Sequence, residues 1–170
     1  MKIEIRIVSE SDVDAFYQLR LDALKKEPES FGAAAHEEYA GMSLADVAKR
    51  LQSSKDSFIL GAFAPNLVGM VGFYRRQGAK MRHKGAIWGM YVSPESRGQG
   101  LGRALMLDAI SRACAVSDLE QLMLTVVTIN RAARGLYLSL GFKSYGIENA
   151  ALKLDGRYLD EELMELKLSK

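Results

Sequence analysis

Arg97-Gly98-Gln99-Gly100-Leu101-Gly102 is the stretch whose residue types speak most directly of chemistry. An apolar run, Ala86 to Val92, precedes it, and a segment with helical spacing, Leu101 to Ala113, follows. Three glycines therefore fall where a strand passes into a helix. A helix start leaves several N–H groups without intrahelical partners, and its dipole favours negative charge. A phosphate satisfies both demands, and glycine lets it approach with no Cβ in the way. The stretch predicts a phosphate-bearing ligand; the competing reading is a tight turn that binds nothing.

Two phosphate patterns fail on these residues. A P-loop closes on Gly-Lys-Ser/Thr, whereas Gly102 is followed by Arg103-Ala104. The dinucleotide fingerprint needs a third glycine three residues after the second; counted from Gly98 and Gly100, that position is Arg103. The strand that would carry its acidic partner ends in Thr128-Ile129-Asn130.

Placing the loop requires a sheet and helices around it. Ile3, Ile5 and Ile7 alternate as one face of a first strand. Ser9 with Asp12 reads as a helix start, followed by Val13, Phe16, Tyr17, Leu21 and Leu24 at helical spacing until Pro28. Pro28 to Gly41 has little periodicity, and Ser43 with Asp46 opens a short helix. Phe58–Phe63 and Leu67–Tyr74 are strands joined through Pro65-Asn66, and Ala86–Val92 feeds the glycine loop. After the Leu101 helix come a β-prone run, Leu122–Val127, and a helix capped by Asn130 and ended by Gly141. Strands near Phe142–Ile147 and Leu163–Leu168 close the chain around a turn at Asp155-Gly156, although Leu159–Leu168 also suits a helix. The order β-α-α-β-β-β-α-β-α-β-β is neither a regular βαβ series nor all-β, so a mixed sheet with helices on both faces is expected.

Composition sets the outer limits. The chain has 170 residues, 48% apolar and 26% charged, with a formal net charge of +2. That fits one globular domain with a real core and gives no global pull toward nucleic acid or a membrane surface. No segment reaches the roughly 18–20 apolar residues of a membrane span, and the N-terminus lacks the apolar core of a signal peptide; a cytoplasmic location is expected. Cys114, alone of its kind, excludes an internal disulfide and is expected as a buried small hydrophobe. His36 and His83 have no ligand spacing with a second His or Cys, so no metal is expected. Arg75, Arg76, Lys80, Arg82, His83 and Lys84 read either as a solvated hairpin tip or as a surface for an acidic partner.

A further pattern fits where the other two fail: Arg/Gln-x-x-Gly-x-Gly/Ala, met as Arg97, Gly100 and Gly102 after Met90-Tyr91-Val92-Ser93-Pro94-Glu95. Downstream lie Asn130, Ala133, Leu136-Tyr137 and Gly141-Phe142. In these motifs and their order the chain resembles the GNAT superfamily of acetyl-CoA-dependent N-acetyltransferases. The resemblance implies one domain over residues 1–170, built on a mostly antiparallel sheet of six to seven strands, splayed in the middle, with helices on both faces. It implies that Arg97, Gly98, Gln99, Gly100, Leu101 and Gly102, with Arg103 adjacent, hold the coenzyme pyrophosphate. The pantetheine arm would pair with the backbone of Met90, Tyr91 and Val92, as an added strand does, with the Val92 N–H near the thioester carbonyl. Asn130 would reach the coenzyme arm, besides capping its helix. Tyr137 would protonate the departing thiolate, although it also continues the apolar stripe of Ala133, Leu136 and Leu140.

The implied reaction is direct transfer of acetyl from acetyl-CoA to a primary amine of a small molecule or peptide. The amine must shed a proton first. The family's glutamate on the strand before the loop has no counterpart in Ile87-Trp88-Gly89-Met90-Tyr91, and Glu38, with Glu37 beside it, is the expected substitute. Phe31, Glu37 and Trp88 are expected to face the acceptor, near Ser30, Gly32 and Tyr91. A homodimer is among the assemblies the resemblance allows. The rival to an enzyme is a non-catalytic acyl-CoA-binding sensor or assembly module.

Overall fold

The structure is a computed structural model, and it describes residues 3–169. Strands β1 (Glu4–Ile7), β2 (Ser57–Phe63), β3 (Leu67–Arg75), β4 (Lys84–Val92), β5 (Gln121–Val127), β6 (Lys143–Leu154) and β7 (Arg157–Lys167) form one sheet in the order β1-β2-β3-β4-β5-β7-β6. Helices α1 (Val13–Lys26), α2 (Leu44–Arg50), α3 (Leu101–Cys114) and α4 (Arg131–Ser139) cover it. The expected mixed, mostly antiparallel sheet is present with seven strands.

Local chemistry starts the helices where the sequence places them. Ser9 and Asp12 form a reciprocal capping box over a single 3-10 turn, after which α1 begins; the Asp12 carboxylate also takes a bidentate pair from Arg6 (2.7 and 2.8 Å). Ser43 and Asp46 repeat the box at α2. The buried face of α1 is Phe16, Leu19, Arg20, Ala23 and Leu24, rotated from the predicted stripe and including a charged residue.

Two cores lie on the two faces of the sheet. One packs α1 and α2 onto Val8, Ile59, Leu67, Met70 and Tyr91. The other packs α3 and α4 onto Leu60, Val71, Phe73, Leu122 and Met164. The sheet splits between them. Parallel strands β4 and β5 pair only at Lys84–Ala86 with Gln121–Met123. Beyond that the strands have no paired residues, and a bulge bends β4 away from β5. Trp88 faces Gly72 and Tyr91 faces Met70, so Gly89 and Met90 together oppose Val71. Gly89 adopts φ +63° there, a conformation that glycine enters without strain.

The last hairpin is a clear strand pair, and this removes the helix alternative for Leu159–Leu168. Both strands run longer than predicted, through to Leu154 and from Arg157. Asp155 and Gly156 both take positive φ, the two-residue turn that matches strand twist. The extra length of β6 was masked because neither of its faces is a continuous apolar one. A register shift between Glu148 and Leu152 also breaks its alternation; there Ala150 at φ +53° donates its N–H to Asp160.

Two smaller expectations are corrected. Cys114 is half-buried, not buried, because it sits near the C-terminal end of α3. Arg75 is no part of a solvated tip: its buried guanidinium donates to the Arg82 carbonyl (2.5 Å) and meets Asp56 (3.5 Å), pinning the turn before β4 from inside.

Candidate active site

A groove of about 370 Å³ runs along the start of α3 and opens onto the split between β4 and β5. Its floor is the glycine loop. Gly98 and Gly100 adopt φ +76° and +78°, and a Cβ built on either would meet nothing within 4 Å. These two glycines are required by backbone conformation, with open space above them. Gly100 is the N-cap of α3 and has no side chain to cap with, and the first bonded amide is Ala104, to the Gly100 carbonyl (3.0 Å). The N–H groups of Leu101, Gly102 and Arg103 are thus left without intrahelical acceptors. Gly102 is set apart by space and not by conformation: a Cβ there would stand 3.0 Å from the terminal methyl Cε of Met90, which would have to give way, and 3.5 Å from Leu136 Cδ2. This donor set, bare and convergent at a helix start, suits a pyrophosphate, so the residues present fit a coenzyme A nucleotide.

Of the residues expected to hold the coenzyme, Met90, Tyr91, Val92, Arg97, Gly98, Gly100, Leu101, Gly102, Arg103 and Asn130 all line this groove; Gln99 is exposed and does not. The Arg97 side chain is committed to structure. Its Nε donates to the Val92 carbonyl (2.9 Å), and its guanidinium pairs with Glu27 across the groove mouth. Arg103 reaches Ser139 on α4 (3.0 Å). Asn130 caps α4 by accepting from the Ala133 N–H (3.1 Å), while its amide nitrogen meets Ser30 Oγ (3.4 Å). The Tyr91 hydroxyl is buried with no hydrogen-bond partner.

A second chamber of about 200 Å³ adjoins the groove inside the split, with Ser30, Phe31, Met90, Asn130 and Ala133 lining both. Tyr137, from α4, lines this chamber together with Phe31, Trp88 and Gly89. Tyr137 is 6% exposed, and burial alone pushes its phenol well above the ordinary tyrosine range. It therefore stays protonated through neutral pH and keeps a proton to give.

The two predicted carboxylates take other places. Glu37 is largely exposed, beside His36, and lines neither chamber, so it is not brought to the acceptor side. Glu38 packs behind the second chamber, where its carboxylate accepts from Arg20 Nε (3.2 Å).

Two charged residues that sequence reasoning passed over do line the second chamber: Arg20 and Glu161. Glu161 faces Val127 on β5 and Glu148 on β6. Burial, and then repulsion from Glu148, raise its pKa, against a hydrogen bond from Thr125. A signal for both existed. Arg20 falls four residues after Phe16 on the apolar side of α1, and consecutive Glu161-Glu162 in a strand must send one carboxylate to each face. Glu162 does face the other way, into a bidentate pair with Arg134 of α4 (2.6 and 3.3 Å). Among the described residues no group of His, Cys, Asp and Glu is placed to hold a metal ion, and no helix is long and apolar enough to cross a membrane.

Solved structures share the fold that carries this split sheet and loop. A GNAT-family acetyltransferase from Streptococcus pneumoniae superposes with TM-score 0.87 at 24% identity, covering 98% of this chain and 99% of that one. A putative acetyltransferase from Salmonella typhimurium, solved with its cofactor acetyl-CoA, has TM-score 0.82 at 22% identity, covering 100% and 96%. The chain belongs to the acetyltransferase (GNAT) family, whose model matches residues 8–142. Similar curated proteins include a mycothiol acetyltransferase from Thermobispora bispora, 33% identical over 68% of this chain and 40% of that protein. A phosphinothricin N-acetyltransferase from Alcaligenes faecalis is 35% identical over 47% and 41%. A spermidine N(1)-acetyltransferase from Vibrio cholerae is 27% identical over 66% and 64%. The matches thus span less than two thirds of each of these relatives' own length.

Proposed function

We propose that this protein transfers the acetyl group of acetyl-CoA to the primary amine of a small molecule. The observation that carries this reading is the shared wall of two chambers: a groove floored by bare amides adjoins a split lined by a protonated phenol and a carboxylate. Bound along the groove, the coenzyme would supply an activated acetyl carbonyl. The amides of Leu101 to Arg103 hold its diphosphate, and the strand edge of Met90 to Val92, which has no sheet partner on the β5 side, receives the arm. The acceptor amine enters the second chamber as an ammonium, since an alkylamine has pKa near ~10.4, and must lose a proton before its lone pair can form the new C–N bond. Glu161 lines that chamber, whereas Glu38 is engaged behind it by Arg20, so Glu161 takes the base role expected of Glu38. As the C–S bond breaks, Tyr137 gives its proton to the sulfur.

Calorimetric titration with acetyl-CoA, followed by free-thiol release with a panel of amines, tests this. Binding with turnover is expected. Binding without turnover of any amine favours a coenzyme-sensing module, and flat heats remove both readings.

A further inference from the structure

Arg20 is the most costly side chain in the acceptor chamber. It is 5% exposed, on the face of α1 that otherwise presents Phe16, Leu19, Ala23 and Leu24. A guanidinium has five N–H donors in a fixed fork and cannot shed its charge. Here one donor, Nε, is used by Glu38 at 3.2 Å, and Nη1 is buried with no partner. The group lies 5.0 Å from the ring centre of Phe31 and 5.6 Å from that of Trp88, so aromatic walls fix its plane. The free nitrogen stands 3.7 Å from where a Cβ on Gly89 would be, at the bulge that opens the split, and Arg20 and Gly89 both line the chamber. A core position asked only to pack would carry Leu or Met, since a buried charge with unused donors opposes folding. An oxyanion from a ligand completes the fork.

The opposite lip of the chamber carries the opposite charge. Arg20 comes from the β1–β4 half of the molecule and Glu161 from the β5–β7 half. The chamber, about 200 Å³, is below the roughly 300–1,000 Å³ of sites for drug-sized ligands. We infer that the acceptor is a small zwitterion, an amino acid or an amine of the same build, whose acid group sits on Arg20 Nη1 and whose amine points to Glu161. This rests on the acetyl-transfer reading above and narrows its substrate class. A polyamine fits less well, because its second ammonium can neither accept from the Arg20 fork nor pair with Glu38, which Arg20 already holds.

The test uses thiol release from saturating acetyl-CoA with three sets of acceptors: free amino acids, the amines formally derived from them by loss of the carboxylate, and spermidine. Coenzyme binding is measured alongside by calorimetry. For the best amino acid, kcat/KM is expected to exceed that of its decarboxylated partner by about 10- to 100-fold, the range of a charge-assisted hydrogen bond. In the double variant Arg20→Gln/Glu38→Gln, which leaves no orphan charge, KM for the amino acid rises by a similar factor. The preference over the decarboxylated amine disappears, while acetyl-CoA affinity is unchanged. If that variant fails to fold, the acceptor comparison on the native protein still decides. Acetyl-CoA binding with equal or better use of decarboxylated amines or spermidine overturns the zwitterion and leaves acetyl transfer standing. Absence of coenzyme binding overturns the acetyl-transfer reading itself.

Discussion

In the proposed reaction Glu161 takes a proton and Tyr137 gives one, and burial raises the pKa of both groups. A carboxyl raised above its ordinary range is a stronger base once ionised, whereas a raised phenol is a weaker acid, so Tyr137 gives up its proton only as negative charge builds on the sulfur. Tyr137→Phe keeps the ring that packs on Phe142 (6.0 Å between centres) and removes only the hydroxyl. It is expected to lower kcat by about 10²- to 10⁴-fold with acetyl-CoA affinity intact, checked by steady-state rates and titration calorimetry; an unchanged kcat removes the acid role. Glu161→Gln is expected to lose activity and yet gain stability. Folding makes Glu161 hold its proton more tightly, so ionising it costs stability. That cost appears as pH rises through the window between its ordinary and raised pKa, and it is absent below that window. Thermal unfolding should therefore show a higher Tm for the variant at pH 7 and no gain in acid. In the native protein, kcat/KM should fall as pH is lowered into the same window, which burial opens and the Glu148 charge widens.

At the scale of elements, the glycine loop separates backbone need from space. Gly100→Ala forces a side chain into the left-handed region, at about 1–2 kcal/mol, but meets no neighbouring atom, so the protein folds with a lowered Tm. Gly102→Val has no such φ to satisfy; its Cβ would stand 3.0 Å from the Met90 methyl and push that side chain aside at the groove. Its expected mark is a raised KM for acetyl-CoA with a smaller change in kcat, read from initial rates, and a variant that only loses stability would assign Gly102 to helix packing. Both glycines were legible in sequence because the handover from strand to helix is written in adjacent residues. The caps Ser9, Ser43 and Asn130 were legible for the same reason: each partner lies three residues on.

The whole molecule is two half-sheets joined at three pairs of residues and tied again across the split by side chains of the loop after α1. Ser30 meets Asn130, Glu29 pairs with Arg157, and Phe31 faces both chambers. In the proposed binding mode, coenzyme seated in that split would act as an added strand between the halves. Hydrogen exchange should accordingly slow on acetyl-CoA addition at Met90–Val92 and at Gly98–Arg103, with β1 to β3 little changed. Protection spread evenly over the sheet would point to global stabilisation without a docked arm.

The sequence by itself determined what neighbouring residues settle among themselves: the helix starts, the turn at Asp155-Gly156, the bare amides of residues 98–103 and the apolar strands that flank them. It left the acceptor chamber unread. Glu37 and Glu38 are neighbours in the chain and part company, one to the surface and one behind Arg20. Arg20, Trp88, Tyr137 and Glu161 are far apart in the chain and share one wall-to-wall space. Only the sheet order, with its bulge at Gly89 and its early end to the β4–β5 ladder, brings them together. Backbone conformation and capping act over three or four residues, whereas charge in a cavity is set by whatever distant elements close around it.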